Sequence, residues 1–480
     1  MGRVLVLAAA VLGVAPAAAR ADGAFPDSQT VLVPGDRPQE IMLVTNFGVV
    51  LSHDGGGSWQ WSCERDVNAF GILYQRGPAP RRRLFAVANQ ALVYSDDDTC
   101  WWSVAGGSLT GRIVTDYFAD PGDGNRVLAI AFADARYAVH ASLDGAAAFG
   151  DAIYRAPGGD GIGGVEIARS DPATVYVSMT GAVDTHPRLA RSDDRGAHWT
   201  ENDLFADLGA GLLRIIAVDS QDPRVVLLRW IGADQQAVAI TRDGGATATA
   251  LLTIMGNLTG ALRLADGTLM VSAVVDAGIT PVLHRSRDGG ARFEVVERPP
   301  AIRALAERAG TIYAATDNFG DGFALATSTD QGTTWSKLMS YDQVQAIVPC
   351  LRADAQCQAT CAALAGMGDM SPGMIWSATV CSASPPPPPA PSGSGCSCAV
   401  AGEAGRGHDT GARGLAVASA RASALALLAW ALRYRRRATN TNIAASTSIS
   451  PGARAGAGGG ASSRWGRASN TRSWPRHRLR

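Results

Sequence analysis

Acidic residues between apolar runs are the side chains in this sequence that could take part in acid–base chemistry. We predict that Asp116, Asp120, Asp317 and Asp321 lie in loops. Hydrolysis of a glycosidic bond needs two carboxyl groups, one on each side of the bond. Acids are common in exposed loops, and no spacing in the sequence singles out one pair. We therefore predict no catalytic residue, no metal ligand and no cofactor.

Tryptophans are the second group of side chains with a chemical use, because an indole offers a broad apolar face to a sugar ring. Trp61, Trp101 and Trp230 are the candidates for such contacts. The same side chains suit packing between strands, and we favour that interpretation for all three.

Eight cysteines could form cross-links. A disulfide between Cys63 and Cys100 is predicted, with two buried thiols as the alternative. Four more cysteines form a compact cluster that allows three pairings, and the sequence does not choose among them. A zinc site is the other alternative for this cluster, but no histidine lies near it. The cluster consists of Cys350, Cys357, Cys361 and Cys381.

An eight-residue pattern, Ser/Thr-x-Asp-x-Gly-x-x-aromatic, recurs along the chain and indicates the fold class. Its copies start at residues 52, 95, 142, 192, 241, 286 and 328, which are 42 to 50 residues apart. A β-rich run precedes each copy, an extended run follows it, and two more apolar runs lie upstream. Four short strands every ~45 residues are typical of a propeller blade. The sequence therefore predicts an all-β, seven-bladed β-propeller of four-stranded antiparallel blades over residues 28–349.

The residue types of the pattern suit a tight hairpin turn between the third and fourth strands of a blade. The carboxylate can accept hydrogen bonds from N–H groups of its own turn, and glycine permits a positive φ. Three degraded copies keep Asp97, Asp144 and Asp243, the last with Gly245. The four fuller copies contain Ser52, Asp54, Gly56 and Trp59; Ser192, Asp194, Gly196 and Trp199; Ser286, Asp288, Gly290 and Phe293; and Ser328, Asp330, Gly332 and Trp335.

The pattern resembles the Asp-box or BNR repeats of bacterial sialidases, sortilin-type receptors and related propellers. This resemblance implies that the boxes lie on the outer rim, remote from the ligand face, and that their residues are structural. The Arg-Ile-Pro motif of sialidases is absent from residues 25–51, and sialidases have six blades. These two departures argue against sialidase activity, despite the shared boxes.

The sequence does not show which segment closes the ring of blades. Residues 30–33 and residues 344–348 are both apolar and extended, and either could supply the innermost strand of the first blade. We expect a closure that uses both ends of the chain.

Both termini carry signals for export and anchoring. Residues 1–21 resemble a secretory signal, with Arg3, an apolar stretch and a small-x-small cleavage site that ends at Ala21. After the Cys-rich module (350–383), a Pro/Gly/Ser linker (384–413) contains Cys396 and Cys398. An apolar transmembrane or sorting helix (414–437) follows and ends in arginines.

This tail resembles the MYXO-CTERM sorting signal of myxobacteria. The resemblance implies processing near Cys396 by an envelope sorting protease, membrane anchorage before processing, and display at the cell surface. Two features depart from it: Arg421 lies within the apolar span, and residues 438–480 extend beyond the arginines as a basic segment expected to be disordered.

Composition limits the classes of function. Apolar residues make up 46% of the chain, so a sizeable core can form. Residues 433–480 hold 11 arginines and no acid, which leaves 32 basic against 43 acidic residues before them. Because the propeller is thus net acidic, we expect no nucleic-acid partner.

We predict a monomeric, surface-anchored module that binds a glycan or a protein on the propeller face. The alternatives are a glycoside hydrolase, closer to xyloglucanases than to sialidases, and a sortilin-like or assembly-factor propeller that binds a protein.

Overall fold

The computed structural model describes residues 28–62, 73–88, 90–348 and 380. The chain divides into two units, residues 1–390 and 391–480, and all described residues belong to the first. The predicted signal peptide, linker, apolar helix and basic tail lie outside the described residues, as does the Cys-rich module except for Val380. Over the described ranges, none of the helices is long and apolar enough to cross a membrane.

Seven four-stranded antiparallel sheets follow one another along the chain, which confirms the all-β, seven-bladed propeller. Blades 1 and 2 consist of β1 (Ser28–Leu32), β2 (Ile41–Thr45), β3 (Gly48–Ser52), β4 (Trp59–Ser62), β5 (Tyr74–Arg76), β6 (Leu84–Ala88), β7 (Ala91–Ser95) and β8 (Ser103–Val104). A short parallel pair is formed by β9 (Gly106–Gly107) and β13 (Ala148–Phe149), which lie before and within blade 3.

The remaining blades repeat the same order of strands. Blades 3 and 4 consist of β10 (Ile113–Ala119), β11 (Val127–Ala133), β12 (Arg136–Ser142), β14 (Ala152–Arg155), β15 (Gly161–Ile167), β16 (Val175–Thr180), β17 (Pro187–Ser192) and β18 (Thr200–Asp203). Blades 5 and 6 consist of β19 (Leu212–Val218), β20 (Val226–Ile231), β21 (Gln236–Thr241), β22 (Thr249–Ile254), β23 (Asn257–Arg263), β24 (Leu269–Val275), β25 (Thr280–Ser286) and β26 (Glu294–Val296). Blade 7 consists of β27 (Ala304–Arg308), β28 (Thr311–Ala315), β29 (Leu325–Ser328) and β30 (Ser336–Met339).

Two short α-helices lie in the connections, α1 (Phe205–Leu208) between blades 4 and 5 and α2 (Asn318–Asp321) within blade 7. Two 3-10 turns, Asp276–Gly278 and Tyr341–Gln343, complete the regular structure of the described residues.

The core is divided into seven apolar clusters, one at each interface between neighbouring blades. Strand β2 shows why. Its side chains alternate between the two faces of the blade, as the pleat requires. Ile41 and Leu43 therefore pack towards blade 7, whereas Met42 and Val44 pack towards blade 2. Because each blade is buried on both faces, its central strands are apolar along almost their whole length.

Blade 1 closes the ring. Strand β1 is the first strand of this blade and pairs with β2, so the N-terminal segment supplies the innermost strand. The C-terminal β31 (Val344–Ile347) pairs parallel with β4 and adds a fifth strand at the outer edge. Both ends of the chain therefore meet in blade 1. Val380, from the predicted Cys-rich module, is buried in the cluster between blades 7 and 1.

Candidate functional site

The turns that carry the repeated pattern, called here the box turns, have one hydrogen-bond arrangement in all seven blades. The hydroxyl at position 1 donates to the carboxylate at position 3 over 2.7–2.9 Å. It also accepts the N–H of position 5 over 2.8–3.1 Å. The carboxylate accepts the N–H of position 7 over 2.8–3.1 Å. The degraded copies keep these bonds because the bonds need only a hydroxyl and a carboxylate.

Backbone conformation explains the glycine of the pattern. Position 5 has a positive φ in every copy, and five of the seven copies have glycine there, as in Gly196 with φ 97°. Thr99 and Ala146 adopt the same region, with φ of 84° and 74°. A side chain in this region is strained, which the hydrogen bonds of the turn must offset.

The carboxylates of the box turns accept hydrogen bonds from groups of their own turns. The hydrogen bond from the Ser58 hydroxyl lowers the pKa of Asp54 to about 2, and that from the His198 backbone N–H lowers the pKa of Asp194 to about 2. The aromatic residues of the fuller copies pack against the preceding blade, as Trp59 does against blade 7 and Trp199 against blade 3. This geometry supports a structural role for the box residues.

Because successive strands of a blade run in opposite directions, the turns that join them lie at two different ends of the propeller. The box turns and the turns between first and second strands lie at the same end, called here the box face. Hydrogen bonds from box N–H groups to the neighbouring turn show this, with Gly145 donating to the Asn125 carbonyl over 2.7 Å and Gly244 to the Arg224 carbonyl over 2.9 Å. The hairpins between second and third strands, and the connections between blades, form the opposite end, called here the loop face.

Exposed apolar side chains are concentrated on the loop face. Among the described residues, eleven large apolar side chains are exposed, and seven of them lie in or beside loop-face connections. Two others are in box turns and two on outer strands. The seven are Ile113, Val183, Phe205, Leu212, Met255, Ile279 and Phe319.

Three of these side chains lie on one braced platform between blades 4 and 5, called here the blade 4–5 platform. Val183 is 98% exposed in a hairpin whose His186 ring stacks on Phe205 at 4.0 Å. The Gly211 N–H, next to Leu212, donates to the Thr185 carbonyl of the same hairpin over 2.9 Å. These two contacts join the Val183 hairpin to the connection between blades 4 and 5.

Ion pairs surround the platform. The Arg188 guanidinium bonds Asp160 over 2.8 Å and also pairs with Asp184, while His186 Nδ1 lies 2.8 Å from a carboxylate oxygen of Asp203. Three carboxylates around one arginine give the rim of the platform an acidic character.

The central channel contains a pair of carboxyl groups on the first strands of blades 3 and 4. A cavity of about 440 Å³ there is lined by Asp116, Glu166 and Arg214, among others. Burial raises the pKa of Asp116 to about 7, and burial together with the nearby Asp116 charge raises the pKa of Glu166 to about 7. Both side chains contact solvent only in part, since protein surrounds the channel. At neutral pH the pair is therefore partly protonated.

Bulges help to shape the channel wall. In β10 the pairing register shifts between Val114 and Asp116, and similar shifts occur in β1, β15, β19 and β23. A bulge re-aims neighbouring side chains. Glu166 also accepts the Val218 N–H of blade 5 over 2.8 Å, so it ties two blades together as well as lining the channel.

Of the four acids predicted to lie in loops, Asp116 instead lies in strand β10, and Asp317 and Asp321 lie near each other, with the Asp317 N–H donating to the Asp321 carboxylate over 3.2 Å. Asp120 is buried and pairs with Arg126 at 3.4 Å. Asp317 accepts the Phe319 and Gly320 N–H groups at the start of α2, and Asp321 accepts the Ala301 N–H. The acid near Asp116 is Glu166, which is not among the residues predicted from the sequence. The signal that could have found it is a lone acid inside an apolar first strand.

One cluster has the residue types of a metal site. The ligand atoms of Glu40, His53 and Asp98 lie within 4.8 Å of one another. Arg76 bonds both carboxylates, at 2.6 Å to Glu40 and 2.8 Å to Asp98, and Arg37 lies 3.2 Å from Asp98. Because the arginines already compensate the carboxylate charges, we assign this cluster to the contact between blades 1 and 2.

Two of the three candidate tryptophans are buried. Trp61 belongs to the cluster between blades 7 and 1, and Trp230 is 8% exposed below the blade 4–5 platform. Trp101 is half-exposed in the box turn of blade 2. The positions of Trp61 and Trp230 agree with the packing interpretation, whereas the exposure of Trp101 does not.

Of the cysteines, Cys100 is described, and it is disulfide-bonded. Its predicted partner Cys63 lies outside the described residues, so the pairing stays a prediction. The same holds for the other cysteines, Cys350, Cys357, Cys361, Cys381, Cys396 and Cys398.

No protein-family model and no curated protein sequence matches the chain. Solved structures with some likeness include the GH74 enzyme of Niastella koreensis, at 14% identity and a TM-score of 0.39 over 65% of each chain. YCF48 bound to D1 peptide has 17% identity and a TM-score of 0.38 over 53% of this chain and 76% of that one. Sqt1 of Saccharomyces cerevisiae has 8% identity and a TM-score of 0.44 over 65% and 84%. The chain spans less than two thirds of the GH74 enzyme, and similarity at this level assigns no function.

Proposed function

We propose that the propeller is a binding module that recognises a protein partner through its loop face. The observation that carries this proposal is the concentration of exposed apolar side chains at that end. A group of exposed apolar side chains at one end of a protein is typical of a surface that a partner covers. The box face has few such side chains, in keeping with turns that hold the blades together.

The types of these side chains favour a protein over a glycan. Val183, Phe205 and Leu212 resemble the anchors of protein interfaces, where apolar side chains fill pockets of the partner. Sugar rings are instead stacked most effectively by tryptophan or tyrosine. The described tryptophans lie in or beside box turns, or are buried as Trp230 is.

Export and surface anchorage form part of the proposal. They rest on the sequence signals in residues 1–21 and 384–437, which would place the propeller outside the cell. A partner on the outer surface or on a neighbouring envelope protein would suit this location.

The experiment compares two variants of the purified full chain in pull-downs from envelope extracts. Val183→Asp combined with Phe205→Ser removes two loop-face anchors. Leu143→Asp changes a side chain that is 74% exposed on the box face and serves as the control. We expect a partner that the control retains and the loop-face variant binds at least 10-fold more weakly, as hot-spot residues predict.

Equal capture by both variants would contradict the proposal. A glycan array and chromogenic glycosides test the alternatives with the same proteins. If the parent chain binds a glycan saturably and the loop-face variant does not, the ligand is a glycan. Turnover of a chromogenic glycoside would support the hydrolase interpretation.

A further inference from the structure

The loop face has an excess of acids as well as exposed apolar side chains. None of the seven segments between second and third strands contains lysine or arginine, whereas those of blades 3 to 7 contain aspartate. These aspartates are Asp134, Asp184, Asp234, Asp276, Asp317 and Asp321. The turns of the box face contain both signs of charge, as in Asp222 and Arg224, which pair over 3.0 Å. The loop face therefore combines apolar surface with negative charge.

Trp230 joins the blade 4–5 platform to the hairpin of blade 5. Its indole N–H donates to the Gly209 carbonyl, in the connection between blades 4 and 5, over 3.3 Å. A Cβ at Gly232, in the hairpin of blade 5, would lie 2.4 Å from the same ring, so this hairpin also packs on the indole. The connection that contains Asp207 and the hairpin that contains Asp234 therefore both contact Trp230.

The loops around the platform are negatively charged. Four aspartates and no lysine or arginine lie in these loops, which are residues 156–160, 181–186, 204–211 and 232–235. Arg188, on strand β17, pairs with Asp160 and Asp184. Asp207 and Asp234 are exposed, and within the described ranges neither of them has an ion pair. Two carboxylates beside the platform are therefore available to a partner.

Apolar and acidic side chains lie close together along these loops. Val183 directly precedes Asp184, and Phe205 lies two residues before Asp207. A partner that covers the apolar side chains must therefore place its own polar groups next to the carboxylates. Like charges across an interface are unfavourable, which disfavours acidic peptides, nucleic acids and anionic lipids. Arginine and lysine side chains complement this surface.

Apolar contacts and charges have different roles in an interface of this kind. Apolar anchors that become buried supply most of the binding free energy. Exposed ion pairs add little to affinity, but complementary charge speeds association and selects among partners. A segment that fits the platform therefore needs both kinds of side chain.

We propose that the blade 4–5 platform binds a cationic, amphipathic segment of the protein partner, in which arginine or lysine alternates with large apolar residues. Val183, Phe205 and Leu212 contact the apolar side chains. Asp207 and Asp234 pair with the cationic ones. This inference rests on the proposed protein-binding function and adds the chemistry of the partner.

The test measures binding of three labelled dodecapeptides to the purified full chain by fluorescence anisotropy, at low and high salt (about 0.05 M and 0.3 M NaCl). One peptide alternates leucine with lysine, one leucine with glutamate, and one serine with lysine. We expect the leucine–lysine peptide to bind saturably and about 10-fold more tightly than either of the others. Its affinity should fall about 5-fold at high salt, because salt screens the exposed charges.

Two double variants separate charge from apolar contact. Asp207→Asn with Asp234→Asn removes charge without leaving an arginine unpaired, and should weaken binding about 5-fold at low salt but less than about 2-fold at high salt. Val183→Ser with Phe205→Ser adds no charge and should weaken binding about 10-fold at both salt concentrations.

The matched control for the charge variant is Asp123→Asn with Asp151→Asn, in the turns of blade 3 near the box face. Asp123 accepts one backbone N–H, as Asp207 does. Asp151 is exposed and, like Asp234, has no hydrogen bond or ion pair to another described residue. The control removes the same amount of charge and should bind the peptide as the parent chain does.

Four results would overturn the proposal: no binding of any peptide, equal binding of the leucine–glutamate peptide, an unchanged affinity in the charge variant, or an equal loss in its control. The envelope pull-down separates this inference from the proposed function. If Val183→Asp with Phe205→Ser loses a partner that Asp207→Asn with Asp234→Asn retains at low salt, protein binding stands and a cationic segment is excluded. Capture by every variant would contradict the binding function itself.

Discussion

The hydroxyl groups of Ser28 and Tyr341 lie 2.7 Å apart, although 313 residues separate them in the chain. Ser28 Oγ also donates to the Ala324 carbonyl of blade 7 over 3.2 Å, so the Tyr341 hydroxyl is the donor to Ser28. Tyr341 is buried and packs edge-on against Phe47 at 5.1 Å. Blade 1 is therefore joined to the segment after blade 7 at both edges, by side chains at its first strand and by strand β31 at its last.

This contact predicts a coupling between the two ends of the chain. Tyr341→Phe and Ser28→Ala should each lower the free energy of unfolding by about 1 kcal/mol, the usual net contribution of a buried hydrogen bond. Because both changes remove the same bond, the double variant should lose less than the sum. Urea unfolding of the four proteins measures the coupling, and strict additivity would show that the bond does not contribute to closure.

Two neighbouring glycines in the box turn of blade 6 allow the stability cost of a positive φ to be measured apart from the cost of a steric clash. Both Gly289 and Gly290 have positive φ, 70° and 96°. A Cβ at Gly289 meets nothing within 4 Å, whereas one at Gly290 would lie 2.6 Å from Leu251 Cδ1 of blade 5. Gly289→Ala should cost about 1 kcal/mol for the backbone alone, and Gly290→Ala about 2–4 kcal/mol because Leu251 must also move. Thermal unfolding compares them, and equal losses would mean that the blades separate easily at this point.

Acid should weaken the box turns within a defined range of pH. The folded-state pKa values of Asp54, Asp194, Asp243 and Asp330 are lowered to about 2, from 3.8 in the absence of these contacts. Their contribution to stability is therefore present above pH 4 and is lost as the pH falls towards 2. Asp54→Asn should reduce this loss by about 0.5–1 kcal/mol, a small figure because the group is exposed. Unfolding curves between pH 2 and 5 test it, and parallel curves for the two proteins would contradict it.

The carboxyl groups of the central channel should affect the pH dependence of stability in the opposite direction from the box carboxylates. Because the folded-state pKa values of Asp116 and Glu166 are raised to about 7, the folded protein binds these protons more tightly than the unfolded chain. Stability should therefore fall as the pH rises from about 4 to 7 and stay low above that range. Asp116→Asn with Glu166→Gln should raise the free energy of unfolding at pH 8 by about 1–2 kcal/mol and flatten its pH dependence. Asp134→Asn, in an exposed turn, is the control, and an unchanged pH profile in the double variant would exclude the carboxyl pair as the cause.

The sequence by itself determined the number of blades and the position of every outer hairpin. Each box turn is held by hydrogen bonds between residues two to four positions apart, such as Ser192 with Asp194 and with Gly196. Because these hydrogen bonds are local, they require particular residue types at fixed positions within the turn. Even the degraded copies at 95, 142 and 241 could therefore be recognised from the spacing. It is still a prediction that the repeated pattern is an Asp-box repeat, and that the C-terminal tail is a sorting signal.

Only the tertiary structure decided which contacts join distant segments. Glu166 lies near Asp116 because their strands are neighbours in the ring, and no spacing in the chain encodes that proximity. The order of the terminal strands in blade 1 likewise depends on pairing between residues about 300 positions apart. Trp199 and Trp335 occupy the same position in the pattern, yet one indole N–H is bonded and the other is not. One of the two acceptors of the Trp199 N–H is the Ile153 carbonyl at a bulge of blade 3. That contact forms only when the blades pack, which is why the sequence pattern does not show it.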